Sequence, residues 1–519
     1  MQREAVLAID IGTQSLRAQA FDLRGGIIDS ARIPYPAPYQ SPRPGWAEQD
    51  PALYWNCLGE ACRKLWSGGR VSPGSLASVA VTSQRSTVVN LDNKGLPLRP
   101  AIVWLDQRRA GNLPPVGLMW RTIFRLAGLT NTLHYLQAEA EANWIMENQP
   151  DIWEKTAHYL FLSGYITYML TGRFVDSTGC QVGYVPFDYR KQAWAHLSNW
   201  KWQAIPMPPE ILPDLALPGQ KMGSVTAKAA SFTGLPEGLA VIAAASDKAC
   251  EVLGSGCLET GQACIGYGTT ATINVSSRKY IEPIPLIPPY PSACPGHYNM
   301  EVQIFRGFWM VTWFKEEFAW QEKSLAIKEG VAPEELLDRL VAGIPPGSMG
   351  LVLQPFWSPG LRHPGIEARG SVIGFKGSHT RAHLYRAILE GLAYAMREGR
   401  ERIEKRTGET VKELYVCGGG SKSDQMMQIT ANVFGLPAVR PATYEASGLG
   451  AAILAALGSG LYPELKTAVR EMTGISRTFD PEPEAVKIYD HLYRKVYVKM
   501  YRKLRPLYKS IHSITQNFT

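Results

Sequence analysis

The segment Asp10-Ile-Gly-Thr-Gln-Ser-Leu-Arg17 ends a short apolar run with a carboxylate, turns on a glycine and sets a guanidinium a few residues on. A carboxylate so placed can hold Mg²⁺ through water, while the backbone N–H groups of Thr13, Gln14 and Ser15, with Arg17, can meet phosphate oxygens. Alone, Asp-x-Gly-Thr also describes an ordinary hairpin turn. A second turn, Gly268-Thr269-Thr270, has no carboxylate where the first has Asp10, so it can only donate hydrogen bonds. A third, in Val416-Cys-Gly-Gly-Gly-Ser-Lys-Ser-Asp424, sets three glycines between a strand and a helix, where bare backbone can approach a nucleotide. Its glycine spacing is not that of the Walker pattern. Phosphoryl transfer asks for parts of this kind: metal and donor groups around a polyphosphate, and a base that orients the acceptor hydroxyl.

The elements that carry these residues follow from the apolar pattern. Residues 5 to 9 (AVLAI) and the segment around Leu16 to Phe21 read as strands about a tight turn, and residues 262 to 275 (QACIGYGTTATINV) repeat that layout. Ile9-Asp10-Ile11-Gly12-Thr13 then lies over Ile265-Gly266-Tyr267-Gly268-Thr269, which points to two domains of related topology. Residues 77 to 81, 88 to 91 and 100 to 104 read as strands, 134 to 171 as helical and closed by Gly172, and 239 to 246 as a buried strand running into Asp247. Later come a long helix over 382 to 406, a strand over 411 to 416, a loop over Gly418 to Ser421, a helix over 424 to 434 and a small-residue helix over 446 to 460. The Pro-rich stretch 281 to 296 reads as a loop, because a strand-like segment follows at once. The expected domains are 1–256, 257–480 and a basic helical tail, 481–519.

Five hundred and nineteen residues, 45% of them hydrophobic, can bury two ordinary cores. The net charge is +8, but residues 485 to 519 carry seven of those charges, so no broad basic surface remains for nucleic acid. Tyrosines 489, 493, 497, 501 and 508 recur there at near-helical spacing, as expected of a terminal helix docked on the second domain; a partner surface is the alternative. Eight cysteines show no C-x-x-C pair and no zinc spacing, which reads as reduced thiols in a cytoplasmic protein. No window has the apolar length of a secretory core or a membrane span.

Several longer segments carry a family resemblance: LAIDIGTQSLR (7–17), PGWAEQDP (44–51), SQRSTVV (83–89), IVWLDQR (102–108), ASDKA (245–249), YGTT (267–270), CGGGSKS (417–423) and ASGLGAAILAALGSG (446–460). In content and order the chain resembles the FGGY carbohydrate kinases, the group that includes glycerol kinase and xylulokinase, from about residue 5 to 480. The resemblance implies an α/β fold of two ribonuclease-H-like, actin-like ATPase domains with an interdomain catalytic cleft. It implies ATP and Mg²⁺, a small-molecule carbohydrate acceptor, no nucleic acid or membrane partner, and a homodimer. Asp10 would help hold the metal, Gly12, Thr13, Gln14 and Arg17 would lie near the transferred phosphate, and Gly268 and Thr269 would contact the polyphosphate. Gly419, Gly420 and Ser421 would border adenine and ribose, with Asp424 on the following helix.

Asp247, held rigidly after its strand, would be the general base; a buried helix-capping carboxylate is the alternative. The acceptor would be held by the loop Gln84-Arg85-Ser86-Thr87, by Trp104, and by Asp247 and Lys248. Ser86 stands where glycerol kinase has glutamate, Lys248 where it has glutamine, and the Met-His pair of xylulokinase is missing. One acid lost and one cation gained beside Arg85, with Arg306 as a further cation, point to an acceptor with a negative group, such as a sugar acid. The competing expectation is that Lys248 pairs with a protein carboxylate. A catalytically silent nucleotide-binding regulator of the same fold, and a filament-forming actin relative, are the rival functions; the Arg85, Trp104 and Asp247 set argues for an enzyme.

Overall fold

Ala5–Ile11 (β1) is buried along its whole length, as a central strand with both faces covered must be. It turns back into Ser15–Asp22 (β2) and then Ile27–Pro34 (β3); Leu76–Ser83 (β4), Lys221–Ser224 (β5) and Ala240–Ala243 (β6) complete the sheet. The order is β5-β6-β4-β1-β2-β3, with β1, β4 and β6 mutually parallel and the other neighbours antiparallel. Helix Pro51–Ser67 (α1), capped by the Asp50 carboxylate accepting from Ala52 N at 2.9 Å, covers β2 and β3. Helix Asp247–Gly254 (α2) follows β6. The carboxyl ends of the three parallel strands lie side by side and carry Gly12-Thr13, Gln84-Arg85 and Asp247, the edge where open α/β sheets hold their ligands.

The second unit is built the same way. Gln262–Tyr267 (β7), Ala271–Ser277 (β8), Tyr298–Ile304 (β9), Glu413–Cys417 (β10), Ala438–Pro441 (β11) and Ile475–Phe479 (β12) run in the order β12-β11-β10-β7-β8-β9. Strands β7, β10 and β11 are parallel, and β12 is antiparallel to β11. These six strands retrace the order of the first sheet, except that the antiparallel edge strand precedes its neighbour in the first unit and follows it in the second, and a seventh strand, Tyr290–Pro291, pairs with β9. Helices Arg381–Thr407 (α3) and Asp424–Phe434 (α4) pack on each other in this unit. The repeat expected from the two Gly-Thr turns therefore extends through six strands.

The structure describes residues 4–282, 286–358 and 364–515. The two units are not contiguous in sequence: Met1–Gly254 is joined by Ser277–Asn299 and Glu445–Thr473, while Ser255–Ser276, Met300–Tyr444 and the chain from Gly474 form the other. The expected boundaries, 1–256, 257–480 and a tail 481–519, follow the chain continuously, whereas these compact units interleave along it. Helix Ala446–Gly458 (α5) belongs with the first unit because it is glycine-matched to α2. A Cβ on Gly450 would lie 2.0 Å from the Cys250 carbonyl oxygen, and one on Gly254 would lie 2.0 Å from that of Ala446. Residues 277–299 are held there by Gln192 Nε2 donating to His297 O at 2.9 Å and by the Tyr298 hydroxyl donating to Arg190 O at 2.6 Å. Of the Pro-rich stretch 281–296, residues 283–285 lie outside the described residues.

The tail is Pro483–Leu492 (α6), a wide turn over Tyr493–Tyr497 and Val498–Thr515 (α7). Tyr489, Tyr493, Tyr497, Tyr501 and Tyr508 are all buried, and Tyr394 of α3 packs against the first three at ring-centroid distances of 6.1, 5.9 and 5.1 Å. The docked helix is thus the one observed. Residues 516–519 of the expected tail lie outside the described residues.

Two other expectations need correction. The helical stretch 134 to 171 is interrupted: helices end near Glu139 and Asn148, Pro150 starts a new one, and His158–Phe161 is a strand before the last helix closes on Gly172 with φ 71°. The strand expected over 100 to 104 pairs only at Ala101–Ile102. Among the described residues no helix is long and apolar enough to cross a membrane, and all eight cysteines are free.

Candidate active site

The turn between β1 and β2, with four residues between the paired Ile11 and Leu16, sets the register that pairs Asp10 with Arg17 across the hairpin. Gly12 N donates to Ser15 O at 3.1 Å and Tyr35 N to Gln14 O at 2.9 Å, so the turn is fixed at both sides. Arg17 Nη1 donates to Asp10 Oδ2 at 3.2 Å, and its Nε lies 3.6 Å from Glu445 Oε2. Asp10 is 6% exposed, and burial pushes its pKa to about 6 from 3.8; Arg17 opposes the rise, while Asp247 and Glu445 add to it. The second Gly-Thr turn is one residue shorter, with Tyr267 paired to Ala271, and the position matching Asp10 is Gly266 facing Thr272. Of the two turns, the first alone carries a carboxylate at this position.

Asp247 opens α2, and the three residues before it are pinned by hydrogen bonds. Ser177 Oγ donates to Ala244 O, Thr82 Oγ1 to Ala245 O at 2.8 Å, and Ser246 N to Gly179 O at 3.0 Å. Ser447 Oγ of α5 donates to the Asp247 carbonyl at 3.2 Å. Burial raises the pKa of the Asp247 carboxyl above 3.8; the Arg85 guanidinium and then Lys248 hold it down. Asp10 and Asp247 are both buried carboxylates, with Asp247 among the charges that raise Asp10.

The other acceptor residues are partly committed already. Arg85 lies over the Tyr290 ring at 4.9 Å. Ser86 has a φ of 51° and donates its hydroxyl to Val182 O at 2.9 Å, so its side chain is spent on the backbone. Gln84 Nε2 donates to Tyr54 Oη at 3.3 Å, and its buried Oε1 has no protein partner. Lys248 Nζ lies 3.1 Å from Glu251 Oε2 one helical turn on, with both side chains mostly buried. That ion pair removes the reason for reading Lys248 as the receiver of an anionic acceptor.

Trp104 donates its indole Nε1–H to Thr13 Oγ1 at 3.0 Å. The motifs PGWAEQDP and IVWLDQR explain how it is placed. Glu48 Oε1 accepts from Arg99 Nη2 at 2.7 Å and Arg108 Nη1 at 2.8 Å, Asp106 chelates Arg108, and the Arg108 guanidinium sits 4.0 and 4.6 Å from the Trp46 and Trp144 rings. This buried charge cluster clamps segment 45–50 to segment 101–108, with Val103 N donating to Ala47 O at 3.0 Å.

In the second unit Phe308 N donates to Gly268 O at 3.0 Å and Trp309 N to Thr269 O at 3.4 Å, leaving Thr269 exposed. Gly418 has φ 79° and a Cβ there would strike the Tyr267 carbonyl at 2.8 Å. Gly420 is needed for packing, since its Cβ would meet Phe308 and Tyr267 at 2.6 Å; Gly419 faces open space. The Ser421 hydroxyl donates to Gly418 O at 2.8 Å, and Asp424 is held by Arg440 and Arg477, each at 2.6 Å. Of the three glycines in this turn, Gly419 alone has open space where a Cβ would lie. Asp338 accepts from Ser423 Oγ at 2.7 Å, and burial lifts its pKa to about 6.

Sequence reasoning missed Glu445, Glu251, Tyr290, Ser447 and Asp338. Glu445 carried a signal, an acid at the start of the small-residue helix; Tyr290 carried none.

The first unit carries a carboxylate turn and a buried aspartate at strand ends, and the second carries a glycine turn with open space at Gly419. The models of the N-terminal and C-terminal domains of the FGGY family of carbohydrate kinases match residues 5–254 and 263–459, and the chain belongs to that family. It is similar to an uncharacterised sugar kinase of Escherichia coli (strain K12), 30% identical over 498 residues, covering 96% of this chain and 93% of the relative. The xylulose kinase of Staphylococcus epidermidis (strain RP62A) is 27% identical over 524 residues, covering 99% and 100%. The solved xylulose kinase of Rhodospirillum rubrum matches with a TM-score of 0.79 at 27% identity, over 97% of this chain and 100% of that one.

Proposed function

We propose that this chain transfers the γ-phosphoryl group of ATP to a hydroxyl of a sugar, sugar acid or polyol, with Asp247 as general base. The observation that carries this reading is the placement of Asp247: the first residue of a helix, after a strand end pinned by Thr82, Ser177 and Gly179, with Arg85 and Lys248 beside it. Burial keeps its pKa above that of a free aspartate, which brings a carboxylate closer to the range in which it can take an alcohol proton. Arg85, its guanidinium over Tyr290, and Trp104 orient the acceptor against it. Because Lys248 is engaged by Glu251, an uncharged acceptor suits the site better than an anionic one.

Asp10 fits Mg²⁺. Its carboxylate is buried, is held by Arg17 alone among the described side-chain contacts, and ionises reluctantly without a further cation. When bound, Mg²⁺ would neutralise polyphosphate oxygens. In this reading the first unit holds acceptor and metal, and the Gly268-Thr269 and Gly419 turns of the second hold the nucleotide. Eight free cysteines accord with a reducing, cytoplasmic setting.

The test is ADP release with ATP and Mg²⁺ over a panel of ketoses, aldonic acids and polyols. One or more neutral acceptors should stimulate it, and Asp247→Asn should lower that rate about a thousandfold. No stimulation by any acceptor, or an Asp247→Asn variant as active as the parent, would overturn the proposal.

A further inference from the structure

Trp104 was expected to serve the acceptor, yet its one polar atom points to the phosphate turn, 3.0 Å from Thr13 Oγ1. An indole nitrogen can only donate, whereas a hydroxyl has one hydrogen and two lone pairs. Thr13 Oγ1 must therefore accept, and its own hydrogen is directed elsewhere.

We propose that Trp104 is a positioning residue for the transferred phosphoryl group: by donating to Thr13 it fixes the polarity of that hydroxyl, leaving the Thr13 hydrogen to donate to a phosphoryl oxygen. This rests on the kinase reading above and adds a role for Trp104 within it. Both ends of the contact are held. The Gly12–Ser15 turn is closed by Gly12 N on Ser15 O at 3.1 Å, and Trp104 follows Val103, which is tied to Ala47 O at 3.0 Å. Asp106, two residues on, is locked to Arg108. A hydroxyl that already accepts a hydrogen bond is a stronger donor. A donor fixed before the reaction stabilises developing charge without reorganising at that moment. The same contact joins the acceptor's aromatic wall to the phosphate turn, so that the two substrates are registered through one side chain.

Trp104→Phe removes the donor and keeps the ring. It should lower kcat about tenfold while leaving the acceptor KM within about threefold, and the slow hydrolysis of ATP without acceptor should fall by a similar factor. Thr13→Val should cost about a hundredfold, and Trp104→Phe added to it should cost nothing further, whereas in Thr13→Ser the tryptophan change should still cost about tenfold. Binding geometry has its own readout: the Trp104 indole N–H resonance, assigned by its loss in Trp104→Phe, should move upfield in Thr13→Val with no ligand present. A rise in acceptor KM alone, full multiplicativity of the two changes, or an unmoved indole resonance would overturn the proposal. Phosphoryl transfer itself would survive each of those results, whereas failure of the kinase reading would show as no acceptor-dependent ADP release in the parent.

Discussion

Replacing Asp10 by asparagine should make the protein more stable and less active, and the gain should depend on pH in a defined way. Burial raises the folded-state pKa of Asp10 from 3.8 to about 6. Between those values the folded state holds the proton more tightly than the unfolded chain, so stability falls as pH climbs through that window and is level above it. The displacement corresponds to about 3 kcal/mol above pH 7 and to about 1 kcal/mol at pH 4.5. Asparagine carries no charge to desolvate, and Arg17, which is partly exposed, keeps Glu445 at 3.6 Å. Urea unfolding in EDTA, followed by tryptophan fluorescence at pH 4.5 and pH 8, measures the difference. The variant should exceed the parent by about 2 kcal/mol more at pH 8 than at pH 4.5, and its kinase rate should fall at least about a hundredfold. An equal offset at the two pH values, or a variant weaker than the parent at pH 8, would refute the argument that an ionised Asp10 is carried at a cost to the fold.

Other changes test other parts. Lys248→Met should destabilise by about 2 kcal/mol, because it strands the mostly buried Glu251, and Lys248→Met with Glu251→Leu should recover most of that in denaturation; turnover of a neutral acceptor by the double variant should stay within about threefold. Gly450→Ala drives a methyl to within 2.0 Å of the Cys250 carbonyl and should cost at least about 3 kcal/mol, whereas Gly343→Ala, with nothing within 4 Å, should be neutral in the same assay. The acid limb of kcat/KM should inflect above 3.8, activity rising with pH as the base ionises, and Asp247→Asn should abolish that inflection.

The legible parts of the sequence were those written in short range. A strand, a Gly-Thr turn and a returning strand predict themselves from apolar runs and turn chemistry, and so did helix 424–434, whose observed span coincides with the expected one. Asp10 and Arg17 were found because a hairpin makes them neighbours in register. What remained hidden depends on distant segments meeting. Tyr290 reaches Arg85 across some two hundred residues, Glu445 reaches Arg17 across more than four hundred, and neither pairing leaves a local pattern. The two readings of Lys248, an anionic acceptor or a protein carboxylate, stayed open because Glu251 lies at a helical spacing that equally fits a solvated surface pair; the structure has the protein pair. The Pro-rich stretch, read as a loop throughout, holds a two-residue strand at Tyr290–Pro291 that pairs with Tyr298 and Asn299, a partner that composition does not announce.

The late arrival of α5 has a consequence for how the molecule is made. During translation the ribosome releases Asp247 and its helix long before Gly450, yet the carbonyl-to-glycine contacts at Cys250 and Ala446 cannot form until both exist. A nascent chain stopped after residue 254 would hold the β1–β2 hairpin and Asp247 while leaving the Cys250–Gly254 face of α2 bare. Maturation of the first unit therefore waits on synthesis of most of the second, and a chaperone that shields that face would have to remain until the last tenth of the chain emerges.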